Sequence, residues 1–101
     1  MKGSERADLR AEAHHLKVSI HVGKQGITDA VVQSLDDVLR THELVKCQVA
    51  KGGELSAREA ASTIGPQVKA EVVQVIGRTF TLYRHNPELP KKPDALPPWR
   101  R

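Results

Sequence analysis

The chain has 101 residues, a net charge of +4 and only one Phe, one Tyr and one Trp. That length suits a single domain around one core, and three aromatic residues cannot build the stacked platform that reads single-stranded bases. No apolar run approaches the ~18–20 residues of a membrane span, and Met1-Lys2-Gly3-Ser4-Glu5 lacks a signal-peptide core.

Glu5, Asp8 and Glu12 come too early for an organellar presequence, so a cytoplasmic location is expected. A lone cysteine, Cys47, excludes an internal disulfide and fits a reducing compartment. The first 85 residues carry 12 Lys and Arg against 10 Asp and Glu. A polyanion site therefore requires clustering of cations on one surface, with backbone and shape recognition dominant.

In chain order, residues 4–15 read as a helix, with Ser4 as cap and Leu9, Ala13 and Leu16 at helical spacing. Arg6 and Arg10 fall one turn apart on another face. Val18–Val22 alternates apolar and polar residues and reads as a strand. Gly23-Lys24-Gln25-Gly26 follows, then Thr28 as N-cap of a helix over Asp29–His42 with an apolar stripe at Val31, Val32, Leu35, Val38 and Leu39. Val45–Ala50 is a second strand, in which Val45, Cys47 and Val49 alternate with Lys46 and Gln48. Strand, helix and strand make a βαβ unit, which predicts parallel or neighbouring strands and a right-handed crossover.

Lys51-Gly52-Gly53-Glu54 is a turn, and Lys51 is expected on a surface remote from the first glycine loop. Ser56-Ala57-Arg58-Glu59 is a capping box that opens a third helix, which meets Gly65-Pro66. Pro66 predicts a kink and leaves the course of 67–70 open. Val72–Ile76 and Thr79–Tyr83 flank Gly77-Arg78 and form a hairpin with glycine first in the turn, as type II′ wants. From Asn86 the chain turns proline-rich, which predicts a domain over 1–85 and an extended or disordered basic tail over 86–101.

The Gly23–Gly26 loop is the chemically suggestive segment. Two glycines allow close backbone approach, and the following helix start offers unpaired N–H groups with a partial positive charge. Lys24 adds a mobile cation, so the segment suits a phosphate. The same spacing also serves a plain strand-to-helix turn. It is not a Walker A loop, because the G-x-x-x-x-G-K-[ST] spacing is absent.

Other constellations read as structural. His14 and His15 point about 100° apart on a helix, and His21, His42 and His85 lie on different elements, so no metal site is expected. Cys47 reads as a buried, inert thiol, and Asp36 and Arg40 as a surface ion pair beside Asp37. With no nucleophile, base and orienter in sight, a non-enzyme without cofactor or small-molecule substrate is expected.

Leu16-Lys17, Gly23-Lys24-Gln25-Gly26-Ile27-Thr28, His42-Glu43-Leu44-Val45-Lys46 and Val73–Arg84 together resemble the CRM domain, in its bacterial stand-alone YhbY-type form. The resemblance spans roughly residues 5–85. It implies a compact α/β domain, ordered α-β-α-β-α-β-β with a four-stranded mixed sheet, similar to the C-terminal domain of translation initiation factor three. It further implies binding of structured RNA, with rRNA of large-subunit precursors as partner and ribosome assembly as role. By position it assigns RNA contact to Gly23, Lys24, Gln25 and Gly26, puts Lys17 on the same approach, and adds Arg78 and Arg84 as basic family positions.

Two departures stand out. Val18 replaces the proline that usually follows the family's Leu-Lys, and Val68-Lys69 replaces a common Thr-Gly pair before the third strand. A competing reading from another class is a protein-interaction adaptor that docks partners through the proline-rich tail and Trp99.

Overall fold

The computed structural model describes residues 3–85. The tail expected over 86–101, with Trp99, lies outside these residues. Seven elements follow in the expected order: α1 (Gly3–Ala13), β1 (Val18–Val22), α2 (Asp29–His42), β2 (Leu44–Val49), α3 (Ala57–Gln67), β3 (Glu71–Ile76) and β4 (Thr79–Tyr83). They form one four-stranded mixed sheet in the order β1-β2-β4-β3. β1 and β2 are parallel, and β4 runs antiparallel to both β2 and β3.

One face of the sheet carries the main core. Ile20, Val22, Val45, Cys47, Phe80 and Leu82 meet Leu35 and Leu39 of α2 and the small-residue face Ala57, Ala60, Ala61 and Ile64 of α3. Alternation in the strands sends the other residues to the opposite face. There α1 covers only the end at which β2 begins, where Leu9 packs with Leu44 and Val73, flanked by Leu16 and Tyr83. The rest of that face is largely polar, with Ser19 and His21 exposed and Lys46 and Gln48 half-buried, apart from the exposed Ile76 at the end of β3.

Helix ends follow the local chemistry. Thr28 Oγ1 accepts from the Val31 N–H at 3.3 Å. Ser56 and Glu59 exchange both capping-box bonds at 3.1 and 3.2 Å. The first helix ends at Ala13, two residues earlier than expected, and Leu16 reaches the small core from the following turn. In the hairpin, Gly77 has φ +57 and Arg78 stays at negative φ, as a type II′ turn requires.

Pro66 lies inside α3, which runs one residue further to Gln67 and does not resume. The missing N–H removes one bond from the last turn only. The chain then reverses through Lys69 at φ +56, and the Ala70 N–H closes the cap on the Gly65 carbonyl at 2.9 Å. A lysine thus occupies a left-handed position that favours glycine. Lys69→Gly is therefore expected to raise stability by about 0.5–1 kcal/mol, read as a higher thermal midpoint. A lower midpoint would show that the Lys69 side chain contributes more than its backbone costs.

Candidate nucleic-acid interface

Strand directions dictate which loops meet. Because β1 and β2 are parallel, the segments after Val22 and Val49 leave from the same end of the sheet. The antiparallel hairpin turns at that end too, since Thr79 pairs with Gln48 and with Ile76. Two hydrogen bonds lock the arrangement: Ala50 N–H to the Val22 carbonyl and Val49 N–H to the Arg78 carbonyl, both 2.8 Å. Three turns, at 23–26, 50–55 and 77–78, are thereby held side by side.

The first of these is a tight turn in which the Gly26 N–H donates to the Gly23 carbonyl at 3.0 Å. Lys24 and Gln25 occupy its tip. Gly26 sits at φ +80, and a Cβ there would stand 3.4 Å from Leu55 Cδ1, so glycine is required by conformation. Thr28 caps α2 two residues later. A cleft of about 210 Å³ separates this turn from the 50–55 segment and includes Glu54 in its wall.

The expected site residues divide between the two ends of the sheet. Gly23, Lys24, Gln25, Gly26 and Arg78 share the loop end. Lys17 does not lie on the same approach: it precedes the start of β1, six residues and roughly 20 Å of extended chain from Gly23. Arg84 follows β4 at that opposite end as well. Its Nη1 donates to Asp36 Oδ1 at 2.7 Å and to the Val68 carbonyl at 2.9 Å, and Nη2 to the Asp36 carbonyl at 3.1 Å. Arg40 completes the set at 2.9 Å from Asp36 Oδ2, the expected pair one turn apart on α2. The Arg84 hydrogen bond is the main reason the Asp36 carboxyl is held below its ordinary 3.8, with burial opposing and the charges of Arg84 and Arg40 assisting.

Lys51 corrects the sequence reading in the other direction. Instead of a remote surface, it occupies the loop end, in a second cleft that also takes in Gly23 and Arg78. The parallel β1–β2 pair carries the reason, since it brings the turns after both strands together.

Cations differ in their partners, though not by end alone, since Lys17 and Lys69 at the far end have no carboxylate partner among the described residues either. Arg6, Arg40 and Arg84 each have a carboxylate within 4.0 Å. Among the described residues no carboxylate pairs with Lys24, Lys51 or Arg78. Cys47 is buried in the core with its thiol pushed up to about 12 by desolvation, so it stays protonated and unreactive at neutral pH. Among the described residues, no three His, Cys, Asp or Glu side chains gather as a metal site, and no helix is long and apolar enough to cross a membrane.

The fold and its loop end define a small α/β domain with three surface turns held side by side. The chain belongs to the CRS1/YhbY (CRM) domain family, whose model matches residues 1–84. It is 31% identical over 88 residues to the "Probable RNA-binding protein YqeI" of Bacillus subtilis, a match covering 87% of this chain and 92% of that protein. An "RNA-binding protein" of Haemophilus influenzae is 34% identical over 88 residues, covering 83% of this chain and 89% of the relative. The solution structure of the hypothetical protein SAV1595 from Staphylococcus aureus, described as a candidate RNA-binding protein, superposes with a TM-score of 0.76 at 31% identity. That match covers 89% of this chain and 94% of the other.

Proposed function

We propose that this protein is a non-catalytic RNA-binding protein that grips structured RNA through the Gly23–Gly26 turn and serves assembly of the large ribosomal subunit. The observation that carries the reading is the loop end itself: a glycine-framed turn whose tip lysine has no ion-pair partner among the described residues, directly upstream of a capped helix. Backbone N–H groups and the helix start favour an anion, and among the described residues no carboxylate pairs with Lys24, although Glu54 stands in the wall of the same cleft. Arg78 stands at the same end and extends the positive surface. RNA-binding relatives in the same family support RNA as the polyanion, and the family resemblance supports rRNA of large-subunit precursors in the cytoplasm. The domain proper spans residues 1–85, with 86–101 as an appended basic segment.

Sedimentation of a lysate from cells expressing the full chain tests the cellular role. The protein is expected to travel with large-subunit precursors and to leave them at high salt, since phosphate contacts release counterions. Sedimentation as free protein at low salt, with no affinity for an rRNA transcript, would remove the ribosomal reading.

A further inference from the structure

A second cleft, about 250 Å³, opens beside the glycine turn where the uncovered half of the sheet reaches the loop end. His21, Gln48, Lys51 and Arg78 supply its polar groups, and Gly23, Val22, Val49 and Ala50 the rest of the wall. Among the described residues no carboxylate lines it. It is smaller than the roughly 300–1,000 Å³ of pockets that enclose whole small ligands, and it lies open. Such a hollow suits one unit of a chain passing over the surface better than a free metabolite.

The polar groups fall into two kinds. Lys51 and Arg78 come from two different turns, fixed on either side of the end of β2 by the bonds to Val22 and from Val49. His21 and Gln48 are register partners on β1 and β2 and stand on the open polar face. Cations at the rim match a phosphate, and a flat ring with an amide behind them matches a base or a 2′-hydroxyl. α1 stops short of this half of the sheet, so nothing among the described residues covers the path. Gly23 lines both clefts, so they adjoin at the glycine turn.

We propose that this cleft is a second nucleotide position: RNA held at the Gly23–Gly26 turn continues onto the open half of the sheet, with its next phosphate between Lys51 and Arg78 and its sugar or base against His21 and Gln48. The proposal rests on the RNA-binding reading above. It assigns contacts to three residues, His21, Gln48 and Lys51, that the glycine loop does not include. The partner is RNA rather than an acidic protein segment, because ring and amide beside paired cations address a nucleotide unit.

The test measures binding of the full chain to a large-subunit rRNA transcript over a range of salt. Thermal melts of each variant confirm folding. Lys51→Glu is expected to weaken binding on the order of tenfold and to flatten the slope of log affinity on log salt by about 0.7–0.9 per phosphate lost. The double variant His21→Ala/Gln48→Ala is expected to weaken binding several-fold with the slope unchanged, because neither side chain neutralises a phosphate. Lys69→Glu, at the opposite end of the sheet, is the charge-matched control. If Lys24→Glu weakens binding while Lys51→Glu behaves like Lys69→Glu, the cleft proposal is overturned and the glycine turn stands alone. A double variant with unaltered affinity also overturns the nucleotide contact. If the wild-type chain ignores the transcript, the RNA reading falls and the cleft falls with it. Equal binding to an acidic peptide at the same site would reassign the partner to protein.

Discussion

Arg84→Ala is expected to destabilise the fold by about 2–3 kcal/mol, a drop of roughly 10–20 °C in the thermal midpoint of a domain this size. The guanidinium joins three elements that are distant in sequence: the end of β4, the Asp36 turn of α2 and the carbonyl of Val68 after α3. Its side chain is 21% exposed and that of Asp36 27%, so the pair is too enclosed for a surface ion pair of negligible worth. Removal leaves the Val68 carbonyl without this donor and the Asp36 carboxylate with Arg40 as its remaining cation. Binding of rRNA should be affected through folding alone, with an unchanged salt slope in the folded variant. A flattened slope would instead make Arg84 a phosphate contact.

The same cluster sets an acid limit. Asp36 titrates lower in the folded state than its ordinary 3.8, so its contribution is present above that value and disappears as pH falls through the lower folded value. The stability gap between wild type and Asp36→Asn is therefore expected near neutrality and should close below about pH 4. Chemical denaturation at several pH values reads it directly. A gap that persists into strong acid would mean that the pair acts by packing and not by charge.

The second large effect concerns affinity. Lys24→Glu should weaken binding to the rRNA transcript by an order of magnitude or more and lower the salt slope by about 0.7–0.9. The midpoint should hardly move, because Lys24 is exposed and has no ion-pair partner among the described residues. Gly26→Val is a less clean probe. Positive φ and the nearness of Leu55 impose strain of order 1–3 kcal/mol, so stability and affinity fall together. Lys69→Glu, not Lys51→Glu, is the proper control, since Lys51 shares the loop end. Equal losses from Lys24→Glu and Lys69→Glu would reduce the effect to net charge.

Elements with strong local signals were readable from the sequence. Thr28 and the Ser56–Glu59 box mark helix starts because their side chains satisfy N–H groups that no helix can satisfy itself. The Gly77-Arg78 turn and the alternation in Val18–Val22 likewise act within a few residues. Arg84 was not readable: its partner Asp36 lies 48 positions away, and a cation in a motif looks alike whether it meets a phosphate or a carboxylate. Leu44 is a similar case. It adds a residue to the front of β2 by joining Leu9 and Val73 in the small second core, a contact visible only once α1 lies on the sheet. The positions of Lys17 and Lys51 follow from strand direction and not from closeness in sequence to the glycine loop. A parallel pair sends a strand's own start to the far end and its neighbour's exit to the near one.

Separating paired from unpaired cations has a consequence for variation. Arg6 and Arg84 hold helices to the sheet toward one end, with Arg40 bracing Asp36 inside α2, while the turn tips at 24–25, 51 and 77–78 bear little of that tension. Their residues can be exchanged, lengthened or recharged on an unchanged frame, so long as Gly26 keeps its backbone conformation. Recognition in such a domain can drift, or be redirected in the laboratory, by grafting three short segments, while heat resistance stays with the scaffold that carries them.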